Sequence, residues 1–127
     1  MNTIQFSALP PLGAELAGGK FAGITTQKDG THAAAILLPN KGHELTWKTA
    51  IAWAKKIKAE LPSRSVAALI FTNVKSELDP SWHWTIDEYD ASDAWGCFFN
   101  YGRQDYHHKS YEGSAVAVRL IPIKEST

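Results

Sequence analysis

Between Thr46 and Pro62 the chain carries its clearest folding instruction: Trp47, Ala50, Ile51, Ala54, Ile57 and Leu61 recur largely at three- and four-residue spacing. Apolar residues so spaced fall on one stripe of an α-helix. Thr46 suits the N-cap, because its hydroxyl can accept a hydrogen bond from a backbone N–H that the first turn leaves unpaired. Pro62 is the expected stop. Lys48, Lys55, Lys56, Lys58 and Glu60 fall on the solvated face. Trp53 lies one turn from Ala50 and Ile57 and widens the buried stripe, so Trp47 and Trp53 are expected in the core. A helix with one apolar face must bury it against a second layer; the flanking sequence reads as strands, and the lysine-bearing helix is expected to seal the hydrophobic side of a sheet formed by the tryptophan-rich C-terminal half.

Upstream, residues 1–19 hold Pro10, Pro11, Gly13, Gly18 and Gly19, which suits an extended lead-in, with the sheet starting at Lys20. Residues 21–27 and 31–38 are apolar or β-branched, and Lys28-Asp29-Gly30 between them ends in a residue that tolerates the left-handed conformation of a tight turn. A β-hairpin is predicted. Ala33, Ala34 and Ala35 are weak strand formers, explicable where a strand lies against a helix. Downstream of Pro62, Val66, Leu69, Ile70 and Val74 predict a second helix over residues 65–73, although the apolar run 66–71 also suits a buried strand.

From Leu78 onward short aromatic segments alternate with polar or glycine-containing turns. Residues 81–85, 94–99, 103–108 and 114–123 read as strands, with a turn at Asn100-Tyr101-Gly102. The last is nearly all apolar and is expected in mid-sheet, with Pro122 near its end where a missing N–H matters least. Trp82, Trp84, Trp95, Phe98 and Phe99 are assigned to the core. The fold class is α+β: two helices packed on a mostly antiparallel twisted sheet with long aromatic loops, forming one domain over residues 1–127.

Composition narrows the function. A chain of 127 residues, 44% hydrophobic and 20% charged, has one domain's worth of core. Its single cysteine, Cys97, can form no internal disulfide and reads as a small core hydrophobe. Thirteen basic residues balance thirteen acidic ones, so no overall field favours nucleic acid or an anionic membrane. No apolar run reaches membrane-spanning length and no basic leader precedes an apolar stretch. The expected location is cytoplasmic or phage-associated.

Trp84-Thr85 followed by Glu88, then Ala94-Trp95, Phe98 or Phe99, Gly102, Lys109 and Val118-Arg119-Leu120-Ile121 form an ordered series. It resembles the C-terminal domain family of collagen-like bacterial adhesins. Leu61-Pro62-Ser63-Arg64 is similar to that family's approach to its second helix, so the resemblance spans about residues 45–123. Ile86 and Asp87 depart from it, standing where the family has serine and threonine. The resemblance implies a C-type-lectin-like fold of the kind found in small phage and prophage domains, formylglycine-generating enzymes and the variable receptors of diversity-generating retroelements. It also implies a binding role, with no catalytic residue to carry across.

The residues themselves point the same way. Ser110 and Ser114 lack a glycine-framed elbow, Cys97 lacks a neighbouring base, and Gly18-Gly19 lacks a phosphate-loop continuation, so no catalytic residue and no cofactor is assigned. His83, His107 and His108 do not have zinc-ligand spacing. Asp87, Glu88, Asp90 and Asp93 could suit calcium in number but lack the pattern of a known calcium loop; they read first as an acidic contact surface. The stretch 89–111 is unusually rich in Tyr89, Asn100, Tyr101, Arg103, Gln104, Tyr106, His107, His108 and Tyr111, the side chains that recognition surfaces favour. These residues, with the four carboxylates, are the expected ligand-binding set of a non-enzymatic domain holding a protein or glycan. The competing expectation is a small intracellular regulator or inhibitor, for example an anti-defence protein, whose acidic loop blocks a basic site on its partner.

Overall fold

The computed structural model describes residues 2–124, so Met1 and residues 125–127 of the expected domain lie outside the described residues. The order is β1 (Ile4–Gln5), β2 (Glu15–Leu16), β3 (Gly19–Thr26), β4 (His32–Leu45), α1 (Trp47–Lys56), α2 (Arg64–Asn73), β5 (Trp82–Glu88), β6 (Asp93–Phe98), β7 (Gln104–His108) and β8 (Gly113–Lys124). Short 3-10 turns lie at Phe6–Ala8 and Lys75–Glu77. The strands form one sheet in the order β2-β3-β4-β8-β5-β6-β7, antiparallel except where β5 pairs with β8 at His83 and Ser114 and where β1 joins β8 at Ile4 and Ile123.

Both helices follow from their caps and stripes. Thr46 accepts from the Thr49 N–H at the start of α1, and Ser63 accepts from the Val66 N–H at the start of α2. The apolar run 66–71 is helical, because Val66, Ala67 and Ile70 bury one face. The 28–30 hairpin forms between β3 and β4 with Gly30 at φ +87°. The Asp29 carboxylate holds the turn by accepting from the Thr31 N–H at 3.0 Å.

The helices lie on opposite faces of the sheet. Ala50 and Ala54 of α1 pack with Trp82, Trp84, Ala94 and Ala115, and Trp53 and Ile57 pack with Ala34, Ile36, Ala117 and Ile121. Val66, Ala67 and Ile70 of α2 pack with Ala35, Leu37, Cys97, Val116 and Val118. Strand residues alternate sides, so each central strand feeds both cores. The sequence reading placed a single sealed face beneath the lysine-bearing helix; the sheet is instead covered on both sides, which is why β8 is apolar along nearly its whole length.

Three further expectations need correction. The 1–19 lead-in is not simply extended: buried Ile4 joins the core beside Ile121, and Glu15–Leu16 pairs back onto β3. Strand β4 continues past Leu38 to Leu45, with Pro39 at a register shift between Leu37 and Lys41 where no ladder N–H is required. Helix α1 ends at Lys56, ahead of Pro62. There the Ala59 N–H donates to the Ala54 carbonyl and the Lys58 N–H to the Lys55 carbonyl, both at 2.9 Å, with Lys58 at φ +57°. This is a Schellman closure with lysine in the place that glycine usually takes. Glu60 then bridges Val118 in both directions at 3.0 and 2.8 Å. Among the described residues no helix is long and apolar enough to cross a membrane.

Candidate recognition surface

Strand β7 is the sheet's outer edge, paired among the described residues with β6 alone, and the two strands form a ribbon whose sides carry different aromatic groups. Trp95 lies opposite Tyr106, Ala94 opposite His107, and Asp93 opposite His108. By alternation Asp93, Trp95, Gln104, Tyr106 and His108 face the α2 side, whereas Phe98, Asp105 and His107 face the α1 side.

On the α2 side Tyr89 and Tyr106 stack face to face, with centroids 3.9 Å apart and planes within 4°. Trp95 meets both rings at near right angles, at 5.6 and 5.4 Å. The Arg64 guanidinium lies 3.6 Å from the Trp95 ring centroid. It is fixed there by a reciprocal pair: Arg64 Nε donates to Gln104 Oε1 at 2.9 Å, and Gln104 Nε2 donates to the Arg64 carbonyl at 2.7 Å. Arg64 opens α2, so helix position, guanidinium and edge strand are locked together.

On the α1 side His107 stacks on Tyr111 at 4.7 Å, and Trp82 meets both rings nearly perpendicularly. Tyr101, in the turn, stacks on Phe98 at 5.8 Å. The indole N–H of buried Trp82 has no hydrogen-bond partner among the described residues. Thus the expected ligand set does not form one continuous face. Tyr89, Asp93, Gln104, Tyr106 and His108 are on one side of the ribbon, and Tyr101, His107 and Tyr111 are associated with the other.

The tyrosines are displayed outward, with 47% of Tyr89, 57% of Tyr101, 40% of Tyr106 and 46% of Tyr111 exposed. Asn100 is exposed in the same turn as Tyr101, and Arg103 extends from it to pair with Asp105 at 3.1 Å. His108 Nδ1 bonds the Ser110 hydroxyl at 2.7 Å. Trp82, Trp84 and Phe99 are buried as expected. Trp95 and Phe98 are only half-buried, because each carries exposed tyrosine rings on its outer side.

The four clustered carboxylates have diverged. Asp87 accepts from the Arg64 N–H at 2.7 Å and so caps α2. Asp90 accepts from the Ser92 and Asp93 N–H groups, a local turn that holds its carboxyl below the usual range. Glu88 is paired with Lys109, which also donates to the Ala91 carbonyl at 2.9 Å. Asp93, opposite His108, falls by strand alternation on the same side of β6 as Trp95. Among the described residues no three His, Cys, Asp or Glu side chains converge on one point.

Two other chemical groups are accounted for by packing. Cys97 is buried, its thiol directed to the Gly102 carbonyl at 3.7 Å and its pKa pushed up to about 11 by burial. Toward the β2 side of the sheet a cleft of about 290 Å³ is lined by Glu15, Lys20, Lys41 and Glu77 among others. Its lysines are engaged in ion pairs, Lys20 with Glu15 at 2.9 Å and Lys41 with Asp79 at 3.0 Å.

Sequence reading missed Arg64 as a surface component and assigned Trp95 to the core alone. No local signal links residues 31 positions apart; the only hint was Arg64 directly after the capping Ser63. No family model matches the chain, and no curated protein matches it.

Proposed function

We propose that this chain is a non-enzymatic recognition domain that holds a protein or glycan ligand on the tyrosine-bearing β6–β7 edge. The observation that carries this reading is the Tyr89–Tyr106 stack: two half-exposed rings held parallel at 3.9 Å over Trp95 and Arg64. Rigid aromatic rings add contact area at little entropic cost on binding. Here stacking and the Arg64–Gln104 hydrogen bonds meet that cost in the free protein. Two helices on a mostly antiparallel sheet with an aromatic C-terminal half support a C-type-lectin-like reading of the fold, and with it the resemblance to the C-terminal domains of collagen-like adhesins. An inhibitory acidic loop is less well supported, since Asp87, Glu88 and Asp90 already have partners within the chain.

The test is affinity capture from the native host with alanine at Tyr101, Arg103 and Tyr106. The variant should keep its folded circular dichroism and lose its partner; full capture would rule the surface out. Because Tyr106 and Tyr101 serve opposite sides of the ribbon, the single variants then show which side carries the contact.

A further inference from the structure

Resting on the recognition reading above, we propose that the Tyr89–Tyr106 pair and the Asp93 carboxylate together receive a cationic side chain, arginine or lysine, from a basic segment of a protein partner. Aromatic faces carry negative quadrupole density, and a cation is held best where ring and carboxylate can act on it at once. Asp93 is next to the stack: the Tyr89 N–H donates to the Asp93 carbonyl at 2.9 Å, and Asp93 shares its side of β6 with Trp95. None of the four ion pairs among the described residues includes Asp93. The Tyr106 phenol is held above its ordinary range, chiefly by the neighbouring Tyr89, then by desolvation, and last by the charges of Asp105 and Asp93.

The chain already shows that this side accommodates a guanidinium, since Arg64 lies on Trp95. The charge around it selects the sign of the partner. Residues 87–112 hold six acidic side chains, Asp87, Glu88, Asp90, Asp93, Asp105 and Glu112, against Arg103 and Lys109, and counting Arg64 on Trp95 as a third cation still leaves the region acidic by three charges in a chain of zero net charge. The balancing lysines include Lys48, Lys55 and Lys56, exposed on α1 across the sheet. A basic segment is therefore steered to this end of the molecule, an anionic ligand is repelled, and a neutral glycan gains nothing from the imbalance.

The experiment titrates the isotopically labelled chain with a short synthetic peptide alternating arginine with glycine and serine, at physiological salt, followed by NMR. The control peptide replaces each arginine with citrulline, which keeps the shape and removes the charge. The arginine peptide is expected to shift the resonances of Tyr89, Asp93 and Tyr106, and Asp93→Asn and Tyr106→Ala should each weaken it about tenfold. Among the described residues the Asp93 carboxylate accepts no hydrogen bond, so Asp93→Asn tests the idea even where Tyr106→Ala disturbs folding. Equal binding of the citrulline peptide, undiminished binding by Asp93→Asn, or no shift at millimolar arginine peptide would each overturn the proposal. Host-partner capture that is lost in the Tyr101, Arg103 and Tyr106 variant but indifferent to Asp93→Asn would refute the cation site alone and leave the recognition surface standing.

Discussion

The Trp82 indole lies against Gly96 on the neighbouring strand so closely that a Cβ on residue 96 would collide with the ring and with the His83 carbonyl. Gly96 is thus the floor on which the α1-side aromatic group is built, since Trp82 in turn supports His107 and Tyr111. Gly96→Ala should cost about 2–3 kcal/mol, as forced overpacking of a filled core does. Urea denaturation followed by tryptophan fluorescence measures it, and a loss below about 0.5 kcal/mol would mean the ring moves aside freely.

Lys58 offers a change in the opposite direction. It occupies the left-handed region at φ +57° and closes α1 through the Lys58 and Ala59 N–H groups. That conformation costs an L-residue about 1 kcal/mol that glycine does not incur. Lys58→Gly should therefore raise the unfolding free energy by roughly 0.5–1 kcal/mol despite the looser unfolded chain. Arg119, which donates to the Ile57 and Lys58 carbonyls at 3.4 Å, remains to support the same helix end. A decrease in stability would show that the lysine side chain itself matters there.

What the sequence disclosed was periodicity and local capping. Thr46 and the stripe from Trp47 to Leu61 identified α1 though not its end, the 28–30 turn identified a hairpin, and the apolar run from residue 114 identified a mid-sheet strand. What it concealed were features made by residues distant in the chain. The end of α1 depends on a backbone closure at Lys58 that carries no glycine to mark it. Ile4 joins the core only because β8 leaves it a place beside Ile123. The candidate surface was legible as composition, in its tyrosines, but not as geometry: a strand's alternation sends Tyr106 and His107 to opposite sides, and only the sheet order makes β7 an edge. The carboxylates looked like one cluster because they are near in sequence, whereas Asp87 serves α2 and Asp90 serves its own turn.

Acid sensitivity should trace to His83. The ring is buried against Phe99 at 4.6 Å and bonds the Ser81 carbonyl at 2.9 Å through Nδ1, so Nδ1 carries the proton. Burial lowers its pKa, outweighing the Ser81 bond and the charge of Asp79 that raise it. The unfolded chain, with an ordinary histidine near 6.5, then binds the proton more readily than the folded one. Stability from this source is complete above about pH 6.5 and is lost as pH falls through that value toward the depressed one, with a slope of at most about 1.4 kcal/mol per pH unit. Urea unfolding from pH 8 to 5 should show the loss, and His83→Gln should flatten the slope even if it lowers stability overall. An unchanged slope would assign the acid sensitivity to another group.

Asp105 protects the open edge of the sheet. The Phe98 N–H donates to the Arg103 carbonyl at 2.8 Å and the Lys109 N–H to the Ser92 carbonyl at 2.9 Å. The alternation between these points turns the backbone groups of residues 104, 106 and 108 away from β6. Unpaired groups on an edge strand invite another strand to add to the sheet. Here Asp105 Oδ1 accepts from the outward Tyr106 N–H at 2.8 Å, and the His108 carbonyl accepts from the Tyr111 N–H at 2.9 Å. Asp105→Ala frees the first of these and also releases Arg103 from its ion pair. The variant should keep the parent's fold and sedimentation at low concentration, within about 1 kcal/mol of its stability, but associate further as concentration rises, with added strand signal. Sedimentation velocity over a concentration series measures this, and a sedimentation coefficient matching the parent throughout would show that Asp105 is not what keeps the edge closed.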